Sequence, residues 1–272
     1  TDSTPIQIGD AQDLTLYHDG TNSYITNAVG ALKVATETSG IAITIGHTTS
    51  ETTVADNLTV TGDFAAGNFK FAGTDFTNSL LVGHSTSGTL DAAERNVGVG
   101  ITALDSLTSG DNNIGIGHNA ADAVTSGTMN TIVGAYAGTT VSTNGYNTGM
   151  GGYSLQDTTG NFNTAFGYGA DMQNATGTYN VSLGVNALEG VSGNSHSYNT
   201  AIGSKSLEVL TTGDYNIALG YLSGDNITSG SGNVVIGKAD VSSATGDDQL
   251  SISDGEDGSV VWMTGDSSAK LT

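Results

Sequence analysis

The chain has 272 residues, among them 40 Gly, one Pro and no Cys, and its 27 acidic against 6 basic residues give a formal net charge of −21. Charged residues are 12% and aromatics 6%, roughly half the charge of an ordinary globular domain, while 36% apolar content still suffices for a continuous core. Scattered cations, no Cys and no apolar run near the roughly 18 residues of a membrane span argue against nucleic-acid binding, thiolate metal sites, disulfides and membrane insertion.

Residues 1–78 form a β-rich attachment or shaft region in which apolar and polar positions alternate between turn signals. Ile6-Gln7-Ile8, Leu14-Thr15-Leu16-Tyr17, Tyr24-Ile25, Leu32-Lys33-Val34, Ile41-Ala42-Ile43-Thr44-Ile45 and Leu58-Thr59-Val60-Thr61 read as strands, with Asp19-Gly20 as a hairpin turn. Thr1 to Asp10 has neither a basic start nor an apolar segment, so no secretory signal is expected there. Asp91 to Arg95 predicts a single helical turn.

From Ser79 to about residue 240 the chain repeats. Asn recurs at Asn96, Asn113, Asn130, Asn147, Asn163, Asn180, Asn199, Asn216 and Asn233, in steps of 17 except for one of 16 and one of 19. Gly follows each four residues later, from Gly100 to Gly237, and Gly83 stands in register before them. The residue preceding these Gly is apolar in all ten units, from Val82 to Ile236, an outcome on the order of 4 in 100,000 by chance. A unit this short and Gly-rich cannot be a helical hairpin. It predicts an all-β, parallel β-solenoid (a β-roll or β-helix) of about ten coils stacked about 4.8 Å apart, a rod about 50 Å long. Each coil is expected to hold a strand of four or five residues, a Gly corner, a second short strand and a Thr/Ser-Gly turn. The apolar column before Gly is expected to fill the interior, and the Asn column to form an amide ladder that satisfies turn carbonyls. Residues 241–272 read as a cap with a terminal strand at Ser259 to Met263.

Units such as Asn163-Thr164-Ala165-Phe166-Gly167-Tyr168-Gly169-Ala170 resemble the head repeats of trimeric autotransporter adhesins and related repeats of bacteriophage tail fibres, over about 160 of the 272 residues. Segments Asp13-Leu14-Thr15-Leu16-Tyr17-His18-Asp19-Gly20 and Asp56-Asn57-Leu58-Thr59-Val60-Thr61-Gly62 look like tail-fibre and virion structural proteins of marine phages. Coils longer than those of adhesin heads, with no heptads or membrane anchor, favour the phage side. The resemblance implies a homotrimeric shaft on the virion, outside the cell, that resists unfolding and proteolysis and presents a host-recognition surface. It implies as partners further copies of the chain, other virion or fibre proteins, and a host surface glycan or protein receptor. It also suggests Thr272 as the end left by a self-cleaving chaperone domain. A trimeric cell-surface adhesin, an extracellular filament subunit and an ice-binding solenoid stand as alternatives, the last because Thr131, Thr148, Thr164 and Thr200 share a column.

Catalysis is not expected. Gly98-Val99-Gly100-Ile101-Thr102-Ala103 and Gly115-Ile116-Gly117-His118-Asn119-Ala120 match a dinucleotide fingerprint in letters but open no helix of a βαβ unit. His18, His47, His84, His118 and His196 are dispersed, and no two carboxylates are singled out as an acid–base pair. Asp254, Glu256 and Asp257 are the candidate Ca²⁺ ligands, although the spacing is not that of a calcium β-roll. One column admits a binding role: Tyr146, Phe162, Tyr179, Tyr198 and Tyr215 each precede a repeat Asn, with Met129 ahead of them. They form either a ladder packed between coils or subunits, or a stacking edge for sugar rings, with Tyr153, Tyr168 and Tyr221 on a neighbouring face.

Overall fold

The computed structural model describes residues 6–8, 14–18, 20–27, 69–73, 76–82, 92–268 and 270–271. The expected strands at Leu32–Val34, Ile41–Ile45 and Leu58–Thr61, together with His47, His84, Gly83 and Thr272, lie outside these residues. All regular structure among the described residues is β. The chain divides into two compact units, 1–64 and 65–272.

In the first unit, β1 (Ile6–Ile8), β2 (Leu14–His18) and β3 (Ser23–Asn27) form an antiparallel meander. The turn after β2 contains Gly20 at φ +98°, and Tyr17 stacks on its cross-strand partner Tyr24 at 4.7 Å. Stacked aromatic pairs of this kind contribute about 0.5–1.5 kcal/mol beyond burial, which supports a small sheet of this size.

The second unit is a parallel β-solenoid. It opens with β4 (Phe69–Gly73), antiparallel to β5 (Phe76–Val82), so the boundary drawn at residue 78 falls inside β5. Nine three-residue strands follow in register, from β7 (Val97–Val99) to β15 (Val234–Ile236), each the parallel neighbour of the one before. The predicted helical turn at Asp91 to Arg95 is instead β6 (Ala93–Glu94), paired with β5, because Ala93 is fully buried and Ala92 and Arg95 take left-handed φ, which breaks a helix.

One further parallel strand, β16 (Leu250–Ser253), pairs with β15. The Asn-x-x-apolar-Gly pattern does not reveal it, because Gln249 replaces Asn and Ser253 stands in the place of Gly. The terminal strand is β17 (Val261–Gly265), antiparallel to β16 and shifted from the expected Ser259 start. Ser259 and Val260 are held by the preceding turn, where the Asp257 and Asp254 carboxylates accept their N–H groups. Antiparallel strands thus close both ends of the sheet, a usual device against edge-to-edge pairing.

Two expectations about the coil are overturned. The first is that each coil contains a second short strand; one three-residue strand is followed by turns. Ala103 N donates to Gly100 O at 3.3 Å and Leu107 N to Leu104 O at 3.2 Å, two successive β-turns, while Leu104 N reaches the next coil at Ala120 O. These turns require left-handed backbone at non-Gly positions. Thr102, Leu104, Tyr136, Leu155, Leu188 and Leu207 all have φ between +51° and +61°. Such residues cannot sit in a strand.

The second overturned expectation is that the apolar column before Gly fills the interior. The Asn and the middle strand residue share the inner side, so the residue before Gly must point out. Ile116, Met150, Phe166, Leu183, Leu219 and Ile236 are all exposed. The core is instead built from the small middle residues, such as Ala165, Ala201 and Ala218, from a column of Ala or Ser three residues after each corner Gly, such as Ala103, Ser154 and Ala170, and from the Leu104, Leu155, Leu188 and Leu207 column. At Gly134, φ is +141° and an added Cβ would lie 2.4 Å from Gly151 O, so each corner Gly is stacked too closely on the next for any side chain.

Candidate functional site

The Asn column is fully buried. Each Oδ1 accepts the backbone N–H of the Asn one coil on, as in Asn216 N to Asn199 Oδ1 (2.9 Å) and Asn233 N to Asn216 Oδ1 (3.0 Å). Each Nδ2 donates to a turn carbonyl, as in Asn216 to Gly230 O at 2.9 Å. Gln249 ends the column by donating N and Nε2 to Asn233 Oδ1. With both ends of every amide committed inside the coil, these residues hold the solenoid together and have nothing to offer a ligand.

The aromatic column is exposed and ordered. Tyr146, Phe162, Tyr179, Tyr198 and Tyr215 form a continuous stack with centroids 4.8–5.2 Å apart and ring planes within 16° of parallel. Each of the five has φ near +60°, an arrangement that points them outward from the turn just before Asn. The solvent-exposed fraction runs from 42% to 61%. The interior rings have both faces against neighbours, so solvent meets ring edges and Tyr hydroxyls. The stack ends at Tyr215, because the next residue of the column is Gly232. A second column joins His118, Tyr136, Tyr153 and Tyr168, with Tyr136 and Tyr153 stacked at 5.3 Å and the outer contacts edge-on. Tyr221 is separate from it, with the Lys238 ammonium 5.8 Å from its ring centre.

The acidic turn at the C-terminal end is organised by its own backbone. Asp254 Oδ1 accepts the N–H groups of Glu256, Asp257 and Gly258, and Oδ2 that of Val260 at 2.7 Å. These donors pull its carboxyl down to about 2. Asp257 accepts from Ser259 N. Asp254 and Asp257, two of the three residues expected to hold Ca²⁺, thus serve as turn acceptors, and among the described residues no group of three or more His, Asp or Glu is placed to share an ion.

Two features escaped the sequence reading. Asp225 and Asp240 meet beside a cavity of about 380 Å³ that is also lined by Leu222, Lys238, Ser251 and Val261. Burial, then a hydrogen bond and charge shared with Asp240, push the Asp225 carboxyl up to about 6. The other is a polar break in the core, with Asp171, Asn174 and His196 all buried between an apolar cluster ending at Ala170 and one beginning at Ala187. Burial pushes the Asp171 carboxyl well above the carboxylate range, and neighbouring Asn174 offsets this only in part, without hydrogen-bond geometry, so both carboxyl oxygens lack a partner. Burial holds the His196 imidazole down to about 4, and neither ring nitrogen has a partner. The signal lay in the repeat: Asp171 stands eight residues after Asn163, where Leu104, Leu155, Leu188 and Leu207 follow their own Asn, and Asn174 stands eleven after it, where Leu107, Val124, Val141, Leu210 and Ile227 do.

No family model, curated protein or solved structure matches the chain.

Proposed function

We propose that the chain is a non-enzymatic structural fibre protein of a phage virion, a homotrimeric tail fibre or appendage that serves host attachment. The observation that carries this reading is the uninterrupted stack of coils, with the Asn ladder running from Asn96 to Gln249, in a chain whose repeats resemble tail-fibre repeats. Such a stack is stiff because its hydrogen bonds run unbroken along the axis. It repeats each surface group at about 4.8 Å, which suits reach and multivalent contact better than turnover. The exposed Tyr hydroxyls of the aromatic column are the surface best suited to a host glycan, through edge and hydroxyl contacts.

Light scattering before and after mild heating tests the reading. The expected species is heat-resistant and has three times the 27.3 kDa chain mass. A stable monomer overturns the homotrimeric shaft.

A further inference from the structure

We infer that the outward face of the parallel sheet is the surface on which copies of this chain pack against one another, an inference that rests on the homotrimeric reading. From β5 through β7–β16 the strands present two outward positions each, flanking an inward residue. Every one of those positions is Val, Ile, Leu, Met, Phe or Thr, from Leu80 and Val82 to Leu250 and Ile252. No charged residue interrupts the face along its length of about 50 Å. Large side chains on it are strongly exposed, among them Met150 at 40%, Leu183 at 49% and Leu219 at 46%.

At roughly 50 Å² per position the face exposes on the order of 1,000 Å², more than the largest apolar patch of a typical monomer and close to the roughly 800 Å² per partner of a standard interface. Charge selects the occupant's approach. A copy bearing −21 is repelled by the acidic turns, where Glu189, Glu208, Asp225 and Asp240 follow one another along the coils, and it meets no like charge on the sheet face. Shape selects the occupant itself. A second solenoid has the same coil spacing, so its two side-chain columns mesh with these over the full length without drifting out of step. In a three-fold arrangement the column containing Val181 on one copy lies against the column containing Leu183 on the next.

The double variant Leu183→Glu/Leu219→Glu tests this, compared by light scattering with wild type and with Tyr179→Ser/Tyr198→Ser on the aromatic edge. Wild type and the Tyr variant are expected as oligomers, the Glu variant as a monomer with the far-ultraviolet circular dichroism of the wild type. Because the chain has no Cys, Leu219→Cys supplies a second reading that introduces no charge. Its thiol is expected to react with a maleimide at least about tenfold more slowly in the native oligomer than that of Tyr215→Cys. An oligomeric Glu variant, or a freely reactive Leu219→Cys in a wild-type-sized oligomer, overturns the sheet face and leaves the homotrimer standing. A monomeric wild type overturns both, and the exposed flat face then becomes a candidate for ice, read by thermal hysteresis.

Discussion

A single Asn in the buried column makes bonds in three directions. Asn216 Nδ2 donates to Gly230 O and to Asn199 Oδ1, and its Oδ1 accepts both Asn233 N and Asn233 Nδ2. Truncation leaves a backbone N–H and a carbonyl of neighbouring turns buried without partners, each at about 1–3 kcal/mol. Asn216→Ala is therefore expected to cost about 2–5 kcal/mol in urea denaturation. A loss below about 1 kcal/mol, the range of a surface substitution, sinks the ladder as a stabilising element. The same logic explains why Gln249 can end the column. Its longer side chain still places Nε2 on Asn233 Oδ1 and reaches Ser243 O and Gly246 O.

At the scale of the coil, the aromatic turn holds bulky side chains at a backbone angle that most residues avoid. Tyr179 has φ +60° and touches a ring on each side, Phe162 at 4.8 Å and Tyr198 at 5.2 Å. Left-handed backbone costs a non-Gly residue about 1–2 kcal/mol, and two stacked contacts at about 0.5–1.5 kcal/mol each offset it. Tyr179→Ala loses the contacts and keeps the strain, whereas Tyr179→Gly loses both. The expected order of stability is Tyr above Gly above Ala, measured as thermal midpoints at fixed protein concentration. An Ala variant more stable than the Gly variant contradicts the backbone account.

The coil also shows where sequence reading stops. Period, strand position and Gly corners follow from spacing, because a fixed period leaves few places for a strand or a bend. The direction of the residue before Gly does not, since an unbroken apolar column reads as core whether it faces inward or out. Its true orientation depends on Asn sharing the inner side with the middle strand residue, which is visible only once the three-residue strand is in place. The left-handed turns were hidden for a related reason: Leu and Tyr, unlike Gly, carry no mark of positive φ. At the site itself the aromatic column was legible from its fixed offset before Asn, but the covering of its ring faces was not. The pairing of Asp225 with Asp240 depends on two coils meeting, so neither residue's local sequence announces it.

For the whole solenoid, the polar break at Asp171, Asn174 and His196 divides an otherwise apolar core. Asp171 occupies the column of Leu155 and Leu188 and has a similar φ, +48° against +53° and +55°, so Leu is compatible there. Its folded pKa is raised, so ionisation adds no cost below the unfolded value of 3.8, where it is protonated in both states, and destabilises progressively as pH rises above that. Asp171→Leu is accordingly expected to stabilise the protein, and by at least about 1 kcal/mol more at pH 8 than at pH 4, in urea titrations at the two values. An equal gain at both would mean that ionisation of the buried carboxyl is not the source. His196 acts in the opposite sense, since its depressed folded pKa withdraws stability as pH falls from 6.5 toward 4, and this limb is expected to survive in the Asp171→Leu variant.

Each joint between coils is made by the same few bonds, whether the step is 16 residues, as from Asn147 to Asn163, 17, or 19, as from Asn180 to Asn199. The extra residues of the longest step emerge as an exposed loop around Val191 to Gly193, and the ladder passes beneath it unbroken. Duplicating or deleting one unit in the gene would therefore lengthen or shorten the rod by about 4.8 Å while every remaining joint stays as it was. Reach is thereby an inherited quantity that can change in whole steps, independently of what the surface recognises.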